Sequence, residues 1–270
     1  MELKDRYGRK IEYLRISVTD KCNFRCRYCM PPEGIELKPR EQILSFEEIA
    51  EIVRVAASLG IWKVRLTGGE PLVRRDIEVL VEMLSQTPGV KELAMTTNGS
   101  LLTPSMASTL KEAGLDRVNV SLDTLDPERF RELTGGGELG EVLAGAHAAA
   151  DAGLLPVKIN MVITASTTRE EVEQMKEFCR ENGFILQQIK EFSLYSRREE
   201  LPFSFDRPQP CSICNKIRLT ADGYFKPCLF SNREIPVDME DIENSIMAAV
   251  GRKPLRGTAC SNRSMRQIGG

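Results

Sequence analysis

The chain has 270 residues, 41% of them hydrophobic and 28% charged, a composition that belongs to folded globular proteins and excludes wholesale disorder. Its 37 basic and 39 acidic side chains leave a net charge of −2, which excludes a generally basic nucleic-acid binder but allows a local basic pocket. No apolar run reaches the ~20 residues that span a bilayer, and the opening MELKDRYGRK has no signal-peptide core, so a cytoplasmic protein with no membrane partner is expected.

The first strand signal is Leu14–Thr19, followed at once by Cys22-x3-Cys26-x2-Cys29. A capping box, Ser45-x-x-Glu48, opens a helix that ends at Gly60 and carries Phe46, Ile49, Val53 and Ala56 on one face. Lys63–Gly68 is the second strand and runs into Thr67-Gly68-Gly69-Glu70-Pro71, where two glycines permit close approach of backbone to a ligand and Glu70 can accept from an amine. Glu92–Asn98 follows, then a helix from Thr103-Pro104 to Gly114, with N-cap and Pro at N1. Strands Arg117–Asp123, Pro156–Ile163 and Phe184–Phe192 alternate with helices from about Glu141 to Gly153 and from about Thr168 to Gly183. Six βα repeats predict a parallel α/β sheet.

Side-chain parity refines that class. Arg15 and Ser17, Lys63, Arg65 and Thr67, Asn119 and Ser121, and Lys158 and Asn160 share one face, with branched apolar residues on the other. A closed barrel packs bulky side chains inside. The expectation is therefore an incomplete (β/α)6 TIM-type barrel with a wet lumen over residues 1–192. Residues 193–270 are expected to form an irregular extension across its mouth, with no seventh βα unit. Arg15, Lys63, Arg65 and Lys158 are expected to meet in one cavity without acidic partners, and an anionic ligand would be their counterpart.

The eight cysteines fall into Cys22, Cys26, Cys29 and Cys211, Cys214, Cys228, with Cys179 and Cys260 left over. A chain of this size without an export signal has no need of disulfides, so clustered thiols point to metal ligation. Three thiolates leave one iron of a cubane open to an exogenous ligand, the mark of a reactive site. Two zinc knuckles are the alternative, with Cys260 available to close the second. Cys260 itself is either a surface thiol or that ligand. Cys179 reads as helix core, and His147, the only histidine, as a structural helix residue.

The loop Cys22-Asn23-Phe24-Arg25-Cys26-Arg27-Tyr28-Cys29, with Gly68-Gly69-Glu70-Pro71, resembles the radical S-adenosylmethionine (SAM) superfamily. Within it the chain is most similar to the GTP 3′,8-cyclase family of molybdenum cofactor biosynthesis. LRISVTDKCNFRCRYCMP, VRLTGGEPLVRRD, TTNG, RVNVSLD, VKIN, CSICNKIRLTADG and the terminal Ile268-Gly269-Gly270 carry the likeness over nearly the whole chain. The resemblance implies two [4Fe-4S] clusters, at Cys22, Cys26 and Cys29 and at Cys211, Cys214 and Cys228, the second carried by the 193–270 extension. It implies SAM contacts from Tyr28, Gly69, Ser121 and Ser193, with Glu70 as amine partner. GTP contacts would come from Arg15, Lys63, Arg65, Thr96, Lys158, Lys216 and Arg218, and Arg15, Gly269 and Gly270 would act in catalysis. The implied reaction is cleavage of SAM by the reduced cluster, hydrogen abstraction from the ribose C3′ of GTP, and attack on guanine C8. A flavodoxin- or ferredoxin-type electron donor is implied, and a homodimer is allowed. A relative acting on another anionic nucleotide or a peptide is the alternative. The chain differs from family habit at Gln188 and Lys216, where Arg is usual, at Ser193, where Met commonly touches SAM, and in shorter segments before Cys211 and after Cys228.

Overall fold

A computed structural model describes residues 2–30, 33–191, 194, 205–206 and 209–269. Six strands run in parallel and in sequential order: β1 (Tyr13–Ser17), β2 (Lys63–Thr67), β3 (Glu92–Thr97), β4 (Arg117–Ser121), β5 (Lys158–Ile163) and β6 (Ile185–Lys190). Between them lie α1 (Phe46–Ser58), α2 (Ile77–Ser85), α3 (Pro104–Glu112), α4 (Pro127–Thr134), α5 (Leu139–Asp151) and α6 (Arg169–Glu181). The six predicted strands are all present. The helix starts follow local chemistry: Ser45 and Glu48 cap reciprocally, Thr103 Oγ accepts from Met106 N–H, and Thr168 forms a second box with Glu171. Two short helices, α2 and α4, lie outside the predicted set.

The alternation resolves into two layers. Leu14, Ile16, Val64, Leu66, Val118, Val120, Ile159 and Met161 are fully buried in the hydrophobic core, with Ile49, Ile52 and Val53 of α1, Leu80, Val81 and Leu84 of α2, and Val142 and Ala146 of α5. That apolar layer frees the opposite parity of every strand for polar side chains.

The segment after 192 departs from the expected irregularity. Lys216–Leu219 forms β7, which pairs in parallel with the outer edge of β1, Tyr13 opposite Lys216 and Arg15 opposite Arg218. A hairpin through Asp222-Gly223, with Gly223 at φ +81°, leads to β8 (Tyr224–Lys226), and β9 (Ile235–Pro236) completes a nine-stranded sheet in the order β6-β5-β4-β3-β2-β1-β7-β8-β9. Lys-Ile-Arg-Leu is too short to stand out by periodicity, yet it alternates like the other strands, with Ile217 and Leu219 fully buried. Helices α7 (Ile242–Gly251) and α8 (Met265–Ile268) follow. Arg263 ties this region together through ion pairs with Asp222 at 2.7 Å and Glu234 at 2.8 Å. Among the described residues no helix is long and apolar enough to cross a membrane.

Candidate active site

The cysteine loop leaves the carboxyl end of β1 and is held from two sides. Against β2, Gly69 N–H donates to Thr19 O and Glu70 N–H to Lys21 O, both at 2.8 Å, extending the β1–β2 pairing past the strands. A Cβ on Gly69 would lie 2.1 Å from Lys21 O, and one on Gly68 2.6 Å from Thr19 O. These glycines are needed for the approach of the protein's own loop, whereas the sequence suggested room for a ligand. Against α4, Arg25 N–H donates to Thr134 O at 2.8 Å and Arg27 N–H to Leu133 O at 3.1 Å, and Phe24 packs edge-on against Phe130.

The loop opens into a cavity lined by Cys22, Cys26, Tyr28 and Cys29, by Gly69 and Glu70, and by Thr96 and Ser121. Glu70 is 1% exposed and already engaged: Leu72 N–H and Thr97 Oγ donate to one oxygen at 3.0 and 2.7 Å, and Asn98 N–H to the other at 2.6 Å. Burial lifts its carboxyl to about 7 against these donors. Its main work is thus to pin the 97–98 turn to the glycine motif. Tyr28 presents its ring to the cavity, and its hydroxyl donates to Asp123 at 2.8 Å. Burial also raises Asp123, to about 6. Ser193 lies outside the described residues.

A second cavity adjoins the first through Asn160 and Ile189, which line both. Its walls include Arg15, Lys63, Arg65, Lys216 and Arg218 around Tyr13. Lys63, Lys216 and Arg65 stand 5.4, 5.7 and 5.9 Å from the Tyr13 ring centroid, and sequence reasoning passed this residue over although it shares the parity of Arg15. Burial and the neighbouring Arg15 lower Arg218 to about 9, and burial, Arg15 and Arg117 lower Arg65 to about 10. Arg65 Nε is buried with no hydrogen-bond partner among the described residues. Three expectations are corrected. Lys63 has an acidic partner, Glu92 at 2.8 Å, which also binds Arg117; the register places Glu92 directly opposite Lys63. Lys158 shares the parity but does not line this cavity, whose wall there is Asn160 and Gln187. Thr96 lines the first cavity, and Arg65 reaches across to it at 3.2 Å. Gln188 is opposite Met161 on the apolar parity, so Gln187 is the sixth-strand residue that faces inward.

Residues 16–179 match the family model described as the radical SAM superfamily. The chain belongs to that superfamily. It is 40% identical to the GTP 3′,8-cyclase of Alkaliphilus oremlandii (strain OhILAs), over 99% of this chain and 100% of that protein. It is likewise 40% identical to the GTP 3′,8-cyclase of Moorella thermoacetica, over 87% and 86% respectively. The fold matches the crystal structure of Streptococcus suis SuiB bound to S-adenosylmethionine with a TM-score of 0.69, at 18% identity, covering 92% of this chain and 66% of that one. As a radical SAM enzyme it uses a [4Fe-4S] cluster and SAM.

The thiols of this radical SAM enzyme suit such a group. Cys22, Cys26 and Cys29 lie within electrostatic reach of one another; burial raises all three, Cys29 to about 12, with Cys22 adding to it. Deprotonation here calls for a bound cation, and soft sulfur donors select iron–sulfur chemistry. At the second trio Lys253, 1% exposed, donates from Nζ to Cys214 Sγ at 3.4 Å and to the carbonyls of Lys216 and Pro227. Burial raises the Cys214 thiol, and Lys253 with the Lys216 N–H more than offsets it. A Cβ on Gly257 would meet Cys228 Sγ at 2.8 Å, so a glycine is required beside this group. Among the described residues no three His, Cys, Asp or Glu side chains converge as the ligands of one mononuclear ion do. Cys260 is fully buried against Leu194, Phe230 and Ile268 and points at Asn262, which overturns the surface-thiol expectation. Cys179 is core, as read, and exposed His147 stacks on Phe184 in α5.

The tail enters the chamber. Arg218 donates to the carbonyls of Ile268 and Gly269, and Gly269, at φ +64°, lies so close to Thr67 that a Cβ would be 1.9 Å from its Oγ. Gly270 lies outside the described residues.

Proposed function

We propose that the chain is a GTP 3′,8-cyclase, converting GTP to (8S)-3′,8-cyclo-7,8-dihydroguanosine 5′-triphosphate in molybdenum cofactor biosynthesis. In this reading residues 1–192 form an incomplete TIM-type barrel around both cavities. Cys22, Cys26 and Cys29 hold the SAM-binding cluster, and Cys211, Cys214 and Cys228 hold an auxiliary cluster in the 193–270 segment. The bound cluster and SAM supply one-electron cleavage that yields a hydrogen-abstracting radical. The chain's own residues bind, orient and exclude water. Tyr28, Gly69 and Ser121 would bound the SAM site, with Glu70 holding its floor.

The observation that carries the reading is the cationic cavity sharing a wall with the cysteine-loop cavity. Arg15, Arg65, Lys216 and Arg218 converge there, while the Glu92 carboxylate is engaged by Lys63 and Arg117. Burial has cost Arg65 and Arg218 part of their hydration, and a triphosphate is the natural counter-charge. Lys216 makes a point-charge contact rather than a fork. Arg218 couples the ligand site to the tail through the carbonyls of Ile268 and Gly269, and Gly269 and Gly270 would act in catalysis. Equilibrium binding tests this: Arg65→Ala and Lys216→Ala are each expected to weaken GTP at least about tenfold, the loss of one charge-assisted contact, while SAM binding is unchanged. Unaltered GTP affinity in both variants would refute the assignment.

A further inference from the structure

Arg266 is a buried cation with no carboxylate partner among the described residues. It lies in the single turn of α8, held by the box between Ser264 and Gln267. It is 7% exposed, and among the described residues no ion pair joins it to Asp or Glu. Its contacts are neutral: Nη2 donates to Cys22 O at 2.8 Å, and Nη1 approaches Met30 Sδ at 3.4 Å. Nε is buried with no hydrogen-bond partner among the described residues. A guanidinium withdrawn from water that faces, among the described residues, a carbonyl and a thioether is a charge awaiting its opposite. The groups it faces are the cysteine loop, and its charge is felt at both Cys22 and Cys29. Two and three residues further on, Ile268 is fully buried and Gly269 is wedged against Thr67. The same short helix therefore touches the cysteine loop through Arg266 and the chamber through its last residues.

We propose that Arg266 is the counter-ion of the cluster held by Cys22, Cys26 and Cys29, so that loading this cluster locks the C-terminal tail into the chamber. The inference rests on the assignment of that cluster made above. Three thiolates bring the negative charge that Arg266 lacks, and the tail, docked by this charge, completes the cationic cavity through Arg218. Coupling is reciprocal: a tail that binds the loaded loop better also stabilises the more negative, reduced cluster. Arg266 is a positioning residue, acting on the reacting groups through the loop and the tail.

Hydrogen exchange of the full chain, metal-free and anaerobically reconstituted, tests it, with alkylation of Cys22, Cys26 and Cys29 followed in the same samples. Loading is expected to shield the three thiols and to slow exchange across residues 263–269 by about tenfold, within the usual span of site-to-site coupling. Arg266→Lys should keep this response, and Arg266→Leu should lose it and shift the midpoint of the SAM-responsive cluster to more negative potential. Shielded thiols with an unchanged tail in the unmutated chain would overturn this inference alone. So would an Arg266→Leu tail that still tightens, or an unchanged midpoint. Thiols left unshielded would overturn the cluster assignment as well.

Discussion

At Gly69 a methyl group has nowhere to go, because Lys21 O stands 2.1 Å from where it would sit. The neighbour is backbone on the approach to Cys22 and cannot step aside without moving the cysteine loop. Gly69→Ala is therefore expected to cost about 1–3 kcal/mol in denaturant unfolding, the usual range for overpacking, and to lower iron loading; a variant with unchanged stability would refute the close approach. Glu70 beside it gives a pH signature. Burial raises its folded-state value to about 7 from an ordinary 4.5. Its neutral form is thus favoured in the fold, so the benefit is complete below 4.5 and is lost as pH rises through 7. The penalty of the ionised form is on the order of 3 kcal/mol. Measured on metal-free protein, the stability of the unmutated chain minus that of Glu70→Gln should fall between pH 5 and pH 8. A flat or rising difference would contradict the buried placement.

Among the elements, α4 bears most directly on the site although it contributes no reacting group. Asp126 caps it, Pro127 opens it and Gly135, at φ +70°, closes it against the Arg25 carbonyl. Phe130 is its main buried side chain and the partner of Phe24 in the cysteine loop. Phe130→Ala is expected to destabilise by about 3–5 kcal/mol and to reduce retained iron in what folds; full iron retention at normal stability would contradict the docking. The limits of sequence reading show here. Strands β1–β6 and the caps of α1 and α3 were legible because alternation and capping are local signals. Helix α4 presents only Phe130 and Thr134 to the core, too few for a periodic stripe, and four-residue β7 is recognisable only by its pairing with β1. The cation cavity was legible in Arg15 and Arg65 from parity. Glu92 opposite Lys63, Gln187 in place of Gln188, and the exclusion of Lys158 required register, which parity within one strand does not supply.

For the molecule as a whole, the sheet order places the two cysteine groups on opposite sides of one chain of contacts. Strand β1 delivers the first at its carboxyl end, and β7, its neighbour, begins just after Cys211 and Cys214 of the second, with Cys228 following β8. Between them lie the cations of β1, β2 and β7, and the tail returns across all three to bring Gly269 against Thr67. Two cysteine groups, adjoining cavities and a tail that reaches them together favour one reaction at one centre over two independent sites. The direct test is the product balance of anaerobically reconstituted protein given SAM, a strong reductant and GTP. The account predicts 5′-deoxyadenosine formed together with a cyclised guanosine triphosphate in equal amounts. 5′-Deoxyadenosine released at the same rate without GTP, and with no nucleotide product, would contradict it.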